Sequence, residues 1–426
     1  MKSDACWRQP GTRHDVGLRT VIGARRVVIT GAGAISALGL DASACWKAMC
    51  EGRSGVGPMT WSTTPETRPL LAARVDGYRA EAYFDPRRLS VLDRVSQFAL
   101  VAGREAVAQS GVDFHRDGLG ERTAVVIGIG TSGETSREEQ NERFYLAGGR
   151  RPHPLTIVRT MANAPACHLS IEYGITGPAY AVSTACSSAN YALAQAFQLV
   201  ASGQADAALA GGAEACLSRG VVYSWEAMRV LADDACRPFS RQRRGLGLGE
   251  GAGVFVLVPL EHAVRRGAPI LAELAGAGLS SDASDVVSPS LDGVCLAMRR
   301  ALASAGMPPD SVDYINAHGT GTPVNDAIES AAIHAVFTCT ASTVPVSSTK
   351  AMHGHALGAS GAIELLGVLG SFRDGVIAPT INHLGPDPQC AIDCVPNTAR
   401  EQPVRTALSN SFAFGGMNAV LALRRI

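Results

Sequence analysis

Net charge is the first thing this 426-residue chain lacks: Lys and Arg together number 38, and so do Asp and Glu. Without an excess of either sign there is no global signature of nucleic-acid or membrane-surface binding, and any electrostatic partner must be met by a local patch. No apolar run approaches the length of a membrane span, and the first two dozen residues, which carry several Arg and His, hold none long enough for a signal peptide. The eleven cysteines, an odd number, run from Cys6 to Cys394 without a C-x-x-C pair. That excludes the usual patterns of a disulfide framework or zinc site and points to a reducing, cytoplasmic setting. Residues 1–24 read as a poorly ordered extension. The 46% hydrophobic content supplies core for two or three domains or one large duplicated unit.

What is present is organised around residues 177–214. The apolar run 179–182 reads as a buried strand; beyond Cys186, apolar residues at Ala189, Leu193, Ala196, Phe197 and Val200 recur at helical spacing, and a second apolar run, 207–210, closes a β-α-β unit. Cys186 therefore sits where a strand turns into a helix, and the positive end of that helix is expected to favour thiolate over thiol. A lone Cys more often packs as a small hydrophobe, so this stretch alone does not make it a nucleophile.

The rest of the chain alternates strands and helices. Val27-Val28-Ile29 leads into Thr30-Gly31-Ala32-Gly33-Ala34-Ile35-Ser36, which imitates a dinucleotide-binding fingerprint but has Ser36 for the third glycine and its acidic residue, Glu51, in a turn. It is read as a tight turn at a helix start. Asp93 opens a helix, 124–127 is a strand followed by a Gly-rich turn, 134–154 is a charged exposed excursion, and 157–171 is a helix. The run 236–253 carries Arg237, Arg241, Arg243 and Arg244 beside glycines, a candidate cationic rim for an acidic or phosphate-bearing partner. Strands near 314–316 and 344–346, helices over 326–336 and 356–372, and a strand pair flanking Gly415-Gly416 make a second half of similar pattern, so an α/β duplication is expected, divided into 25–267 and 268–426.

Two histidines in this second half lie at matching strand-to-helix junctions: His318 in Asn316-Ala317-His318-Gly319-Thr320-Gly321-Thr322, and His355 in Lys350-Ala351-Met352-His353-Gly354-His355. In open α/β sheets these strand ends are where ligands bind. His353 beside His355 has no companion cysteine or carboxylate at ligand spacing, so no metal is expected.

With Thr184-Ala185-Cys186-Ser187-Ser188 and Asn410-Ser411-Phe412-Ala413-Phe414-Gly415-Gly416-Met417-Asn418, these make four ordered motifs. Together they resemble the β-ketoacyl-acyl carrier protein synthases, most closely the synthase I/II branch, over nearly the whole chain. The resemblance implies a thiolase fold of duplicated βαβ halves in α-β-α-β-α layers, and a decarboxylative condensation. Cys186 would accept an acyl chain; His318 and His355 would grip the thioester carbonyl of malonyl-acyl carrier protein; the N–H groups of Cys186 and Phe414 would form an oxyanion hole, with Phe414 as gate. Lys350 and Glu364 would be a buried supporting pair, and Thr320 and Thr322 would line the malonyl pocket. The resemblance also implies a dimer, no bound cofactor, and a phosphopantetheine arm delivered by acyl carrier protein, for which the four arginines are docking candidates.

Some positions depart from the synthase II pattern. Thr131 stands where a bulky aliphatic gate of the acyl pocket is usual, so long, unsaturated or stiff chains are expected to enter. His353 stands for Thr, and Ala413 and Met417 for Gly and Thr; these features look more like ketosynthases of nodulation-factor, polyene and type II polyketide pathways. A chain-length factor resembles the fold but lacks the nucleophile, so Cys186 argues against that role while leaving a heterodimer with one open. A coenzyme A-dependent thiolase would carry a second active-site Cys near the C-terminal glycines, and 411–418 contains none.

Overall fold

The computed structural model describes residues 25–59, 70–146, 148–149 and 151–426, so the expected N-terminal extension lies outside the described residues. Ten strands form the main sheet: β1 (Val27–Ser36), β2 (Thr123–Gly128), β3 (Ala179–Val182), β4 (Ala207–Glu214), β5 (Gly251–Pro259), β6 (Ala272–Ser281), β7 (Tyr314–Asn316), β8 (Val346–Ser347), β9 (Thr406–Phe412) and β10 (Met417–Arg424). Their spatial order is β8-β7-β9-β10-β6-β1-β5-β4-β2-β3.

The first five strands lie in the order 1-5-4-2-3 outward from the centre, and the second five, 6-10-9-7-8, repeat that permutation. Directions repeat as well. The pairs β2·β3, β2·β4, β7·β8 and β7·β9 are parallel, whereas β4·β5, β9·β10, β1·β5 and β6·β10 are antiparallel. The two sets meet only where 27–29 of β1 pair with 272–274 of β6.

Five helices cover the faces: α1 (Arg94–Ser110), α2 (Ser188–Ala201), α3 (Leu291–Ala305), α4 (Pro323–Phe337) and α5 (Ser360–Asp374). α2 and α5 lie between the two halves, in one core with Val126, Ala208 and Phe255 from the first sheet and Ala407, Leu421 and Leu423 from the second. α1 packs on the outer face of the first sheet against Val125, Ile127 and Val256, and α3 and α4 on that of the second against Ile315, Leu408 and Val420. Successive residues of a strand thus enter different cores. With both faces covered, strands read as unbroken apolar runs and not as alternation. The layering is α-β-α-β-α, as expected.

Three local readings change. Thr30 to Ser36 is no turn but the continuation of β1, in which a Cβ at Gly31 or Gly33 would overlap the Ala106 or Ala102 carbonyl of α1. The charged stretch after Gly133 folds as a helix, Glu134–Asn141, and the helix expected over 157–171 is two, Thr156–Thr160 and Ala164–Tyr173.

Candidate active site

Cys186 lies beyond the end of β3 in a single 3-10 turn, Ala185–Ser187, that precedes α2. The turn requires φ = +50° at Ala185, a conformation that a residue with a Cβ adopts at an energetic cost. Two hydroxyls hold it: Ser188 Oγ donates to Ala185 O at 2.6 Å and accepts from Thr184 N–H at 2.9 Å, and Ser187 Oγ donates to Thr184 O at 2.9 Å. The thiol is buried and, contrary to the sequence expectation, not a resting thiolate. Burial pushes it up to about 12, against the downward pull of the Lys350 charge and of the N–H groups of Phe414 and Cys186 itself.

His318 follows β7. Its N–H and that of Gly319 donate to the buried Glu329 carboxylate at 2.9 and 2.7 Å, and Lys350 Nζ donates to its carbonyl at 2.6 Å. His355 follows β8 and the short helix Lys350–His353; its Nδ1 is 2.7 Å from Ser360 Oγ, and its N–H donates to Gly247 O at 2.6 Å. By topology, Cys186 between β3 and α2 and His355 between β8 and α5 occupy the same place in the two halves. The His318 and His355 rings meet edge-on, 5.5 Å between centroids. Burial, reinforced by the nearby Lys350 charge, holds both well below the ordinary imidazole range, so both are neutral at pH 7. Lys350 ion-pairs with the buried Glu364 carboxylate.

Cys186, His318 and His355 open into one cavity of about 210 Å³, lined also by Thr320, Thr322, Phe412 and Phe414. Thr320 Oγ1 and Thr322 Oγ1 share a 2.9 Å hydrogen bond, and the Phe414 ring stacks on Trp225 with centroids 5.7 Å apart. A thiol on a strained turn, N–H groups aimed at its sulfur and two neutral imidazoles form a site suited to acyl transfer.

Two family profiles match the sequence: Beta-ketoacyl synthase, N-terminal domain, over residues 24–263, and Beta-ketoacyl synthase, C-terminal domain, over residues 271–383. The chain belongs to the β-ketoacyl synthase family. It is 46% identical over 402 residues to Nodulation protein E of Rhizobium sp. (strain N33), spanning 94% of this chain and 100% of that relative. It is 39% identical over 408 residues to 3-oxoacyl-(acyl-carrier-protein) synthase 2 of Staphylococcus aureus (strain N315), spanning 94% and 98%. The solved structure of the ishigamide ketosynthase/chain length factor superposes with a TM-score of 0.88 at 36% identity, over 95% of this chain and 100% of that one. The synthase is an acyltransferase, catalysing ketoacyl condensation with acyl carrier protein substrates in fatty acid or polyketide biosynthesis. Among the described residues no helix is long and apolar enough to cross a membrane, and no cluster of three or more His, Cys, Asp or Glu could hold a metal.

Not every expected site residue of the synthase reaches the cavity. Thr131 does not line it; its hydroxyl donates to Glu214 Oε1 at 2.7 Å. Arg243 is buried, ion-paired with Asp387 and Asp326, and so cannot belong to an exposed docking rim. Arg237 is mostly buried and paired with Asp234. Arg241 is exposed but away from the cavity, whereas the exposed Arg244 lies at it, together with Arg229, which stands outside the motifs. Also missed were the buried carboxylates Glu214, Asp326 and Glu329, which accept hydrogen bonds from loop N–H groups around the site. Burial pushes Glu214 and Glu329 up to about 7 and Asp326 up to about 6. His353 is buried against Thr349 Oγ1 at 3.0 Å and is held near 3, mainly by burial.

Proposed function

We propose that this chain is the catalytic subunit of its synthase, with Cys186 as acyl acceptor and His318 and His355 as the malonyl-activating pair. The observation that carries this reading is the single cavity in which the thiol, both imidazoles and the Phe414 backbone converge. In the first half-reaction Cys186 Sγ attacks the thioester carbonyl of an acyl-acyl carrier protein; the C–S bond to the phosphopantetheine arm breaks, and the thiol proton ends on the departing sulfur. In the second, malonyl-acyl carrier protein loses carbon dioxide, and the electron pair left behind forms an enolate whose oxygen is held by the two imidazole N–H groups. Ser360 Oγ lies 2.7 Å from His355 Nδ1, and the tautomer this step uses is the one in which Nδ1 accepts from that hydroxyl and Nε2 carries the proton. The enolate carbon attacks the acyl-Cys186 carbonyl, the oxyanion rests on the N–H groups of Cys186 and Phe414, and collapse breaks the C–S bond to Cys186, releasing β-ketoacyl-acyl carrier protein and a thiolate that takes one proton from solvent to restore the thiol. Lys350 and Glu364 orient the histidine loops, and Thr320 and Thr322 line the malonyl side.

A panel of acyl donors decides the acyl chain, because Thr131 turns to Glu214 and does not line the cavity where a gate for long, unsaturated or stiff chains was expected. Arg229 and Arg244, which line the cavity together with the exposed aliphatic Val287 and Val324, replace Arg237, Arg241 and Arg243 as the docking surface for acyl carrier protein. We place the protein in the cytoplasm and divide it at 267/268. The dimer partner is a second copy or, as in the ketosynthase/chain length factor neighbour, a related chain.

The test is intact-mass analysis after incubation with a panel of acyl-acyl carrier proteins. A single acyl adduct is expected on the wild type and none on Cys186→Ala; no adduct with any donor favours a non-catalytic subunit.

A further inference from the structure

Glu214, the last residue of β4, is fully buried and has no counter-ion among its hydrogen-bond partners. It collects instead the N–H of Gly130 at 3.0 Å, the N–H of Thr131 at 3.1 Å, the hydroxyl of Thr131 at 2.7 Å and the N–H of Gly358 at 3.0 Å. The first three belong to the loop after β2 in the half that carries Cys186. Gly358 belongs to the turn between His355 and Ser360, in the other half. The two loops touch backbone to backbone: a Cβ on Gly358 would overlap the Gly130 nitrogen, and one on Gly130 would lie 2.8 Å from the Gly358 nitrogen. The turn is also strained, with φ = +40° at Leu357, and needs something to hold it.

We infer that Glu214 is a positioning residue that clasps the His355 turn of one half to the Gly130-Thr131 loop of the other, and so sets His355 at its working distance from Cys186. The inference rests on the reading of His355 as a malonyl-activating group. Thr131 gains a different part from that of an acyl-pocket gate: its hydroxyl completes the clasp. A carboxylate suits the task because one oxygen, Oε2, accepts three N–H groups while the other faces a hydroxyl. Glutamine preserves that pattern if its carbonyl takes the Oε2 place and its amide donates to Thr131 Oγ1.

A displaced His355 impairs the condensation step, whereas acyl transfer to Cys186 depends on the thiol and the oxyanion hole. The experiment measures the two half-reactions separately in the full-length protein: acylation of Cys186 by intact mass, and turnover of pre-acylated enzyme with malonyl-acyl carrier protein. For Glu214→Ala, kcat of condensation should fall roughly 30-fold, with KM for malonyl-acyl carrier protein within about twofold and acylation slowed less than about threefold. Thr131→Val should show the same split at roughly threefold, and Glu214→Gln should stay within about threefold of wild type. Should Glu214→Ala fail to fold, Thr131→Val and Glu214→Gln decide. Equal losses in both half-reactions, unchanged condensation in Glu214→Ala and Thr131→Val, or Glu214→Gln falling as far as the alanine variant would each overturn the clasp. Wild-type enzyme that never acylates Cys186 would instead overturn the catalytic reading beneath it.

Discussion

Burying a thiol removes the water that would solvate its thiolate, and at Cys186 that loss outweighs both the N–H groups aimed at the sulfur and the Lys350 charge. The direction is upward, to about 12, so the fraction ionised grows with pH throughout the physiological range and reaches no plateau there. Alkylation by iodoacetamide, which consumes the thiolate, should therefore quicken roughly tenfold per pH unit from pH 7 to 9. A rate that levels off near neutrality would mean that the helix start and Lys350 prevail over burial. The neutral histidines follow the same logic in reverse, because desolvation penalises the imidazolium and Lys350 adds repulsion. Both rings are thereby kept neutral, each with one N–H to donate and one nitrogen free to accept.

The Gly31-Ala32-Gly33 run that imitates a nucleotide fingerprint has a counterpart, Gly276-Ala277-Gly278 in β6. In β1 the glycines meet Ala106 and Ala102 of α1; in β6 they meet Ala301 and Ala297 of α3. The first strand of each half thus uses the same device to seat its outer helix at backbone contact. Gly33→Ala or Gly278→Ala should destabilise the fold by about 3 kcal/mol, read as a lower thermal midpoint, because neither strand nor helix backbone can yield. An unchanged midpoint in both would show that the helices can shift. From the sequence Gly31 to Gly33 was expected as a tight turn, because a strand running straight through two glycines looks like a turn until its partner helix is known. Strands 124–127 and 207–210 were legible because both faces are buried. The polar helix Glu134–Asn141 was not, since it buries only Ser136 and Gln140. Glu214 was illegible for another reason: the N–H groups it serves lie 83 to 144 positions away in the chain. Arg243 misled because its partners, Asp326 and Asp387, are equally remote, and a buried ion pair looks from sequence like surface charge.

Each half supplies part of the site: Cys186 from the first and His318, His355 and Phe414 from the second, so the chemistry belongs to the junction between duplicated units. The four ordered motifs made that arrangement readable, whereas the surface beyond the chain is set by its outermost strands. β3 ends one side of the ten-stranded sheet, with Ala179 exposed and Tyr180 and Ala181 half-buried. Helix Ala164–Tyr173 packs on β3 and leaves Ile171 65% exposed, and the neighbouring helix Thr156–Thr160 leaves Ile157 76% exposed. An apolar strand edge flanked by exposed aliphatics is a pairing surface, since on its outer side no further strand of the sheet pairs with it. Two copies meeting there about a two-fold axis would continue the sheet from one molecule into the next, and the dimer expected of the family would follow. Sedimentation should give twice the mass of one chain. Ala179→Asp, which brings like charges together across the axis, should give a monomer. Because β3 runs directly into the strained turn at Ala185, that monomer should also acylate Cys186 several-fold more slowly. A wild-type monomer that doubles in mass only when mixed with a ketosynthase-like partner would assign the same edge to a heterodimer. A variant that stays dimeric at full acylation rate would place the interface elsewhere.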